Sequence, residues 1–133
     1  MKILIKGAGD LATGIAVRLF RAGHQILMTE IPAPLTVRRT VAFSPAVYEG
    51  RAQVEETEAY LAGTKAEAER IMSRGDIAVM VDPDASCRKW FCPDVIVDAI
   101  LAKKNLGTDI SDAPFVIGVG PGFTAGTDCN CVV

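Results

Sequence analysis

The sequence predicts an α/β fold: one domain over residues 1–133, built on a doubly wound, mostly parallel sheet. Short β-branched apolar runs alternate with stretches of helical apolar spacing, the pattern of a sheet covered on both faces. The runs are too uniformly apolar for strands with one wet face. The first run also leads straight into a glycine-rich turn and then a helical pattern. With 133 residues, half of them hydrophobic, the chain has enough apolar surface for a single core and too much for a disordered segment.

Lys2 to Lys6, with Ile3, Leu4 and Ile5 at its centre, is the first strand. Leu11, Ala12, Ile15, Ala16 and Leu19 then recur at three- and four-residue steps, one apolar stripe on a helix that Gly23 ends. Gln25 to Glu30 is the second strand, and Pro32 and Pro34 force an extended exit from it. Ser44-Pro45 has the form of a helix start. Arg51 to Tyr60 reads as one edge strand, its glutamates guarding it from unwanted pairing. Thr64 and Glu67 form a capping box for a helix closed at Gly75. Ile77 to Val81, Val95 to Asp98 and Phe115 to Val119 are three further strands. The connection from Asp82 to Asp94 is expected to be irregular or a single turn, and Ala99 to Asn105 a short helix ended at Gly107. Six strands in this succession fit the order 3-2-1-4-5-6. The sequence stops at Cys131-Val132-Val133 without a terminating signal, which reads as the amino-terminal part of a longer protein.

Fourteen Lys and Arg against sixteen Asp and Glu offer no electrostatic handle for nucleic acid or an acidic membrane. No apolar run is long enough to cross a bilayer, and the first residues read as a strand instead of a cleavable leader. The four cysteines then read as reduced thiols in a cytoplasmic protein.

Gly7-Ala8-Gly9-Asp10-Leu11-Ala12 matches the dinucleotide fingerprint, with alanine at the third small position. Gly7 permits the tight turn, Gly9 admits a pyrophosphate to the backbone, and Ala12 lets the helix pack close to the sheet. Amides at the start of the helix, Leu11 among them, favour the phosphate charge. Glu30 closes the second strand about 20 residues past Gly9, where a carboxylate accepts ribose hydroxyls and repels a 2′-phosphate. Asp10 brings negative charge to the same place and reads more simply as a helix cap. Arg38 and Arg39 leave the ligand-facing edge on the proline loop. They read either as a clamp on phosphate or substrate carboxylate or as solvated surface.

Asp82, Asp84 and Asp98 follow the ends of later strands, where the crevice of an open parallel sheet lies. Asp82 and Asp98 are evenly balanced between ligand contact and turn chemistry, and Asp84 favours the turn. The segment holding Gly118, Gly120, Gly122 and Gly126 around Phe123 spends much backbone entropy, which suits either a second phosphate or cofactor contact or a flexible tail. Neither Cys87 with Cys92 nor Cys129 with Cys131 has the spacing of a zinc knuckle, so no metal is expected. Cys129, beside the glycines and Asp128, is the better candidate for a reactive thiol. His24, the single histidine, falls at the amino edge, which leaves the usual general base missing and the catalytic residues unknown.

Three segments together resemble the YqeB family: Ile5-Lys6-Gly7-Ala8-Gly9-Asp10-Leu11-Ala12-Thr13-Gly14, Thr29-Glu30-Ile31-Pro32 with Arg38-Arg39-Thr40, and Gly118-Val119-Gly120-Pro121-Gly122-Phe123-Thr124-Ala125-Gly126-Thr127-Asp128-Cys129. The resemblance implies an accessory protein of the selenium-dependent molybdenum hydroxylase system, with a Rossmann-like domain related to xanthine dehydrogenase accessory factors. It implies a maturation role, with a molybdenum hydroxylase such as xanthine dehydrogenase as partner; separately from the resemblance, a homodimer is a further expectation. NAD(P) or a related nucleotide, or a nucleotide-bearing molybdopterin cofactor, is the expected ligand. Gly7, Gly9, Glu30, Arg38, Arg39, Gly120, Gly122 and Phe123 are carried over as contacts only. Two rivals stand beside this: an NAD(P)-dependent oxidoreductase completed by a partner or further segment, and a nucleotide-sensing regulatory domain.

Overall fold

The computed structural model describes residues 1–34, 39–102 and 104–133. In chain order the elements are β1 (Lys2–Lys6), α1 (Asp10–Arg21), β2 (Gln25–Glu30), α2 (Ala46–Glu49), β3 (Arg51–Val54), β4 (Thr57–Leu61) and α3 (Lys65–Ser73). There follow β5 (Ile77–Val81), α4 (Arg88–Phe91), β6 (Val95–Asp98), β7 (Phe115–Gly118) and β8 (Cys131–Val132). The strands form one sheet in the order β3-β4-β5-β2-β1-β6-β7-β8. Its described pairings are parallel, apart from the antiparallel pair β3–β4.

Alternation along β1 sorts the core into two. Ile3 and Ile5 join Ile26 and Met28 of β2 beneath Ala12, Ala16 and Val17 of α1 and Ala46 of α2. Leu4 joins Leu27, Ala78 and Ile96 beneath Ala68, Ile71 and Met72 of α3 and Phe91 of α4. Helices therefore lie on both faces, and each fully buried aliphatic side chain contributes about 1.5–3 kcal/mol.

Local chemistry sets the helix ends. Gly9 caps α1 in an extended conformation, and Asp10 places its charge in the first turn, where the helix dipole favours it. Thr64 Oγ1 accepts the Glu67 amide at 3.2 Å and opens α3, and Gly75 follows the helix as expected. The connection after β5 holds the single turn α4, also as expected.

Several expectations are corrected. Arg51–Tyr60 is a hairpin, because Glu55 takes φ +56° and the Glu55–Glu56 turn folds β3 back on β4. Gln53 Nε2 donates to the Glu55 carbonyl at 3.0 Å and steadies that turn. With the hairpin at the outer edge, Ile77–Val81 pairs with β2, Leu27 opposite Ala78, instead of sitting beside β1 as the six-strand count places it. The other edge of β1 goes to β6, with Lys6 opposite Asp98. α2 begins at Ala46 with Pro45 in the cap position, one residue later than the Ser44-Pro45 start predicts.

No helix forms among the described residues from 99 to 107. Asn105 Oδ1 accepts the amides of Gly107 (3.0 Å) and Thr108 (2.7 Å), while its Nδ2 donates to the Thr108 carbonyl at 2.6 Å. That side chain offers the backbone a turn in place of a helix. Finally, β7 ends at Gly118, and β8 adds a short strand beyond it.

Candidate functional site at the carboxyl ends of the strands

The glycine turn is closed on one side and open on the other. The Gly7 amide donates to the Thr29 carbonyl at 2.8 Å. Its φ of +101° and a would-be Cβ only 3.0 Å from the Ala99 carbonyl oxygen exclude any side chain there. Ala8 is fully buried: its amide donates to Glu30 Oε2 at 3.0 Å, and its carbonyl accepts from the Ser44 amide at 2.8 Å and Thr13 Oγ1 at 3.2 Å. A Cβ built on Gly9, by contrast, meets nothing within 4 Å.

Glu30 and Asp10 both act inside this turn. Glu30 grips the Ala8 amide with one oxygen and the Ile31 amide (2.9 Å) with the other, leaving each oxygen a lone pair for a ligand hydroxyl. Asp10 Oδ1 accepts the Leu11 amide at 3.0 Å, a capping contact made from the first helical residue. Leu11 is exposed and Ala12 buried, so of the two only Leu11 faces outward. Arg38 lies outside the described residues. Arg39 begins a 3-10 turn (Arg39–Val41), and its side chain is not described.

A second set of groups gathers on the other flank of β1. Lys6, the last residue of β1, is 6% exposed, and its Nζ donates to Thr108 Oγ1 at 2.7 Å. Thr108 Oγ1 in turn donates to Asp98 Oδ2 at 2.6 Å, and Asp98 Oδ1 accepts the Ile100 amide at 3.2 Å. Burial lowers the pKa of Lys6 below its ordinary 10.5, against the opposing pull of Asp98 and Asp112. Arg88 donates to the carbonyls of Asp84 (3.2 Å) and Ala85 (3.0 Å) and stands 3.6 Å from Asp112. Sequence reasoning chose Asp98 but passed over Lys6, Arg88 and Thr108. The available signal was a lysine ending an apolar strand and a Lys–Asp match at the ends of two parallel strands.

Several of the residues predicted as contacts also make contacts within the fold. Asp82 Oδ2 accepts the Cys87 amide at 2.7 Å and caps the turn that leads into α4. Gly120 lies against Leu101, and a Cβ on Gly122 would stand 2.7 Å from Lys104 Cα. A Cβ on Gly118 would meet the Phe123 ring at 2.4 Å, so that ring covers β7. The late glycines and Gly7 thus border residues 99–101 and 104–105.

Cys129 is fully buried, which argues against its reading as a reactive thiol, since such thiols are solvent-accessible. Cys87 is buried too, and burial, helped by Asp82, pushes its thiol up to about 12. His24 sits at the amino edge with its Nδ1 3.1 Å from the terminal amine, as its position after α1 predicts.

Two cavities border these groups. One, of about 560 Å³, touches Asp10 and Leu11 but runs along the outer flank of α1 toward Arg21 and Glu55. The other, of about 320 Å³, is lined by Lys6, Asp84, Ser86, Arg88, Lys89 and Asp98 among others. No helix among the described residues is long and apolar enough to cross a membrane.

Fold and site together define a single-sheet α/β domain with a glycine turn and a polar cavity at the carboxyl ends of neighbouring strands. The chain is 50% identical over 131 residues to "Uncharacterized protein YqeB" of Escherichia coli (strain K12), an alignment covering 98% of this chain and 24% of that protein. The chain therefore spans about a quarter of the length of that curated relative, whose description carries no activity. No family model matches the chain. No solved structure matches it either.

Proposed function

We propose that this domain binds a nucleotide, or a nucleotide-bearing molybdopterin cofactor, at the carboxyl ends of β1 and β2 on behalf of a molybdenum hydroxylase in the cytoplasm. The observation that carries the binding is the Glu30–Ala8 contact at 3.0 Å, which sets a ribose acceptor against a turn left open at Gly9. With the β3–β4 hairpin set aside, the remaining strands run β5-β2-β1-β6-β7-β8, which is 3-2-1-4-5-6 in chain order. That succession supports a doubly wound, Rossmann-like reading, in which ligands lie beyond the carboxyl ends of the strands.

Gly9 would admit a pyrophosphate to the start of α1, and Glu30 would accept the ribose hydroxyls. Glu30 disfavours a 2′-phosphate, so NAD is preferred over NADP. The bound nucleotide would have to displace the Asp10 carboxylate from the Leu11 amide. The accessory role rests on the resemblance carried by the three motif segments, and the similarity to YqeB supports the family label alone. No reaction is assigned to the domain.

Thermal-shift measurements with NAD, NADP, ATP, CTP and FAD test the binding. NAD should stabilise the wild type, and Glu30→Ala should weaken its apparent affinity by about tenfold or more. Glu30→Ala also removes an acceptor from the buried Ala8 amide and lowers baseline stability by about 1–2 kcal/mol, so the ligand-induced increment is the relevant reading. Stabilisation by none of the five, or an increment equal in both proteins, contradicts the proposal.

A further inference from the structure

We infer that the polar cavity between Lys6, Asp98 and the turn before α4 is a binding site for a phosphoryl oxyanion, with Lys6 at its floor and Arg88 and Lys89 at its rim. The inference goes beyond the nucleotide reading and does not depend on it.

Lys6 carries the argument. A buried ammonium needs hydrogen-bond partners for its three donors. Among the described residues, Thr108 answers one of them. The remaining donors belong to a side chain that is 6% exposed and lines a cavity of about 320 Å³. That volume falls at the lower end of the roughly 300–1,000 Å³ typical of small-molecule sites.

The surrounding groups match a phosphoryl group. Arg88 is held in place by two backbone carbonyls and Asp112, so its guanidinium is oriented before any ligand arrives. Lys89 and Ser86, both exposed, add a second rim cation and a hydroxyl donor. Donors from separate positions suit a tetrahedral oxyanion better than a flat carboxylate. Asp98 already accepts from Thr108 and the Ile100 amide, and the exposed Asp84 offers a further acceptor for a P–OH or a sugar hydroxyl.

The plainer alternative is that Lys6, Thr108 and Asp98 form a structural chain and nothing more. Lys89 and Ser86 lie outside that chain, so they separate the two readings.

Calorimetric titration with inorganic phosphate and pyrophosphate at fixed ionic strength is the test. Saturable binding is expected, weakened by about tenfold or more in Lys89→Ala and in Lys6→Met, with Ser86→Ala also weaker than wild type. If Lys6→Met does not fold, the two rim variants still decide the matter, since both should fold normally. An absence of saturable binding, unchanged affinity in both rim variants, or an equal response to acetate overturns the inference. ATP binding that Glu30→Ala abolishes, with no response to phosphate or pyrophosphate, also overturns it and leaves the nucleotide reading standing. Phosphate binding without a response to any nucleotide leaves this inference and removes the other.

Discussion

Asp98→Leu should destabilise the protein by about 3–5 kcal/mol, because it leaves the Lys6 ammonium buried without its counter-charge. Asp98 is 3% exposed and reaches Lys6 through one hydroxyl, so its loss removes the nearest counter-charge from a largely buried ammonium. Removing both charges in Lys6→Met/Asp98→Leu should recover much of the loss, since an apolar pair of similar volume carries no desolvation penalty. The pH dependence has a definite sign. Lys6 has a lowered pKa when folded and 10.5 when unfolded, so the unfolded chain holds more protons between those values and stability rises with pH there. Without Asp98 the folded value drops further, and the rise begins at lower pH. Cys87 acts oppositely: its thiol goes from 9.0 unfolded to about 12 folded, so its contribution falls as pH climbs above 9.0. Both proteins share Cys87, so the gap between variant and wild type isolates Lys6. Urea unfolding from neutral pH to about pH 9.5 should show that gap narrowing. A deficit below about 1 kcal/mol, or one that stays constant with pH, contradicts the buried-pair account.

Gly122→Ala should lower stability by about 2–4 kcal/mol, or roughly 10 °C in Tm. Two effects add. The residue has φ +93°, a region L side chains rarely adopt, and its Cβ would stand 2.7 Å from Lys104 Cα and 3.0 Å from the Asn105 amide nitrogen. Both neighbours are backbone and cannot swing away. Gly126→Ala supplies the comparison: φ there is +86°, but nothing lies within 4 Å of the new Cβ. It should cost about 1–2 kcal/mol, the strain alone. Equal Tm losses for the two variants in differential scanning calorimetry would show that the approach to Lys104 and Asn105 contributes nothing.

The elements most legible in the sequence are those held by local pattern. The β1 run, the α1 stripe closed at Gly23, the Thr64 cap and the Gly75 stop all form where their residues say they should. Strand pairing is not local. The Arg51–Tyr60 stretch contains its own turn at Glu55, whose positive φ nothing in a run of glutamates announces. Once that hairpin exists, Ile77–Val81 pairs with β2, and a count of single strands cannot anticipate it.

At the site, the glycine spacing and Glu30 were readable because the turn chemistry is sequential. Thr108, by contrast, is brought to Lys6 across more than a hundred residues by a loop folded around Asn105, and no spacing rule reports that. The late glycines were visible but admit two readings. Positive φ at Gly120 and Gly122, and the backbone of Lys104 and Asn105 against Gly122, give both glycines a role in the fold whether or not a ligand binds.

An amide-resolved NMR titration with NAD decides whether the glycine turn receives the nucleotide. The largest shifts should fall on Gly9, Asp10 and Leu11 and on the amides of Ala8 and Ile31 that Glu30 holds. Shifts confined to the outer flank of α1 around Arg18 and Arg21, or no saturable shifts at all, would contradict it.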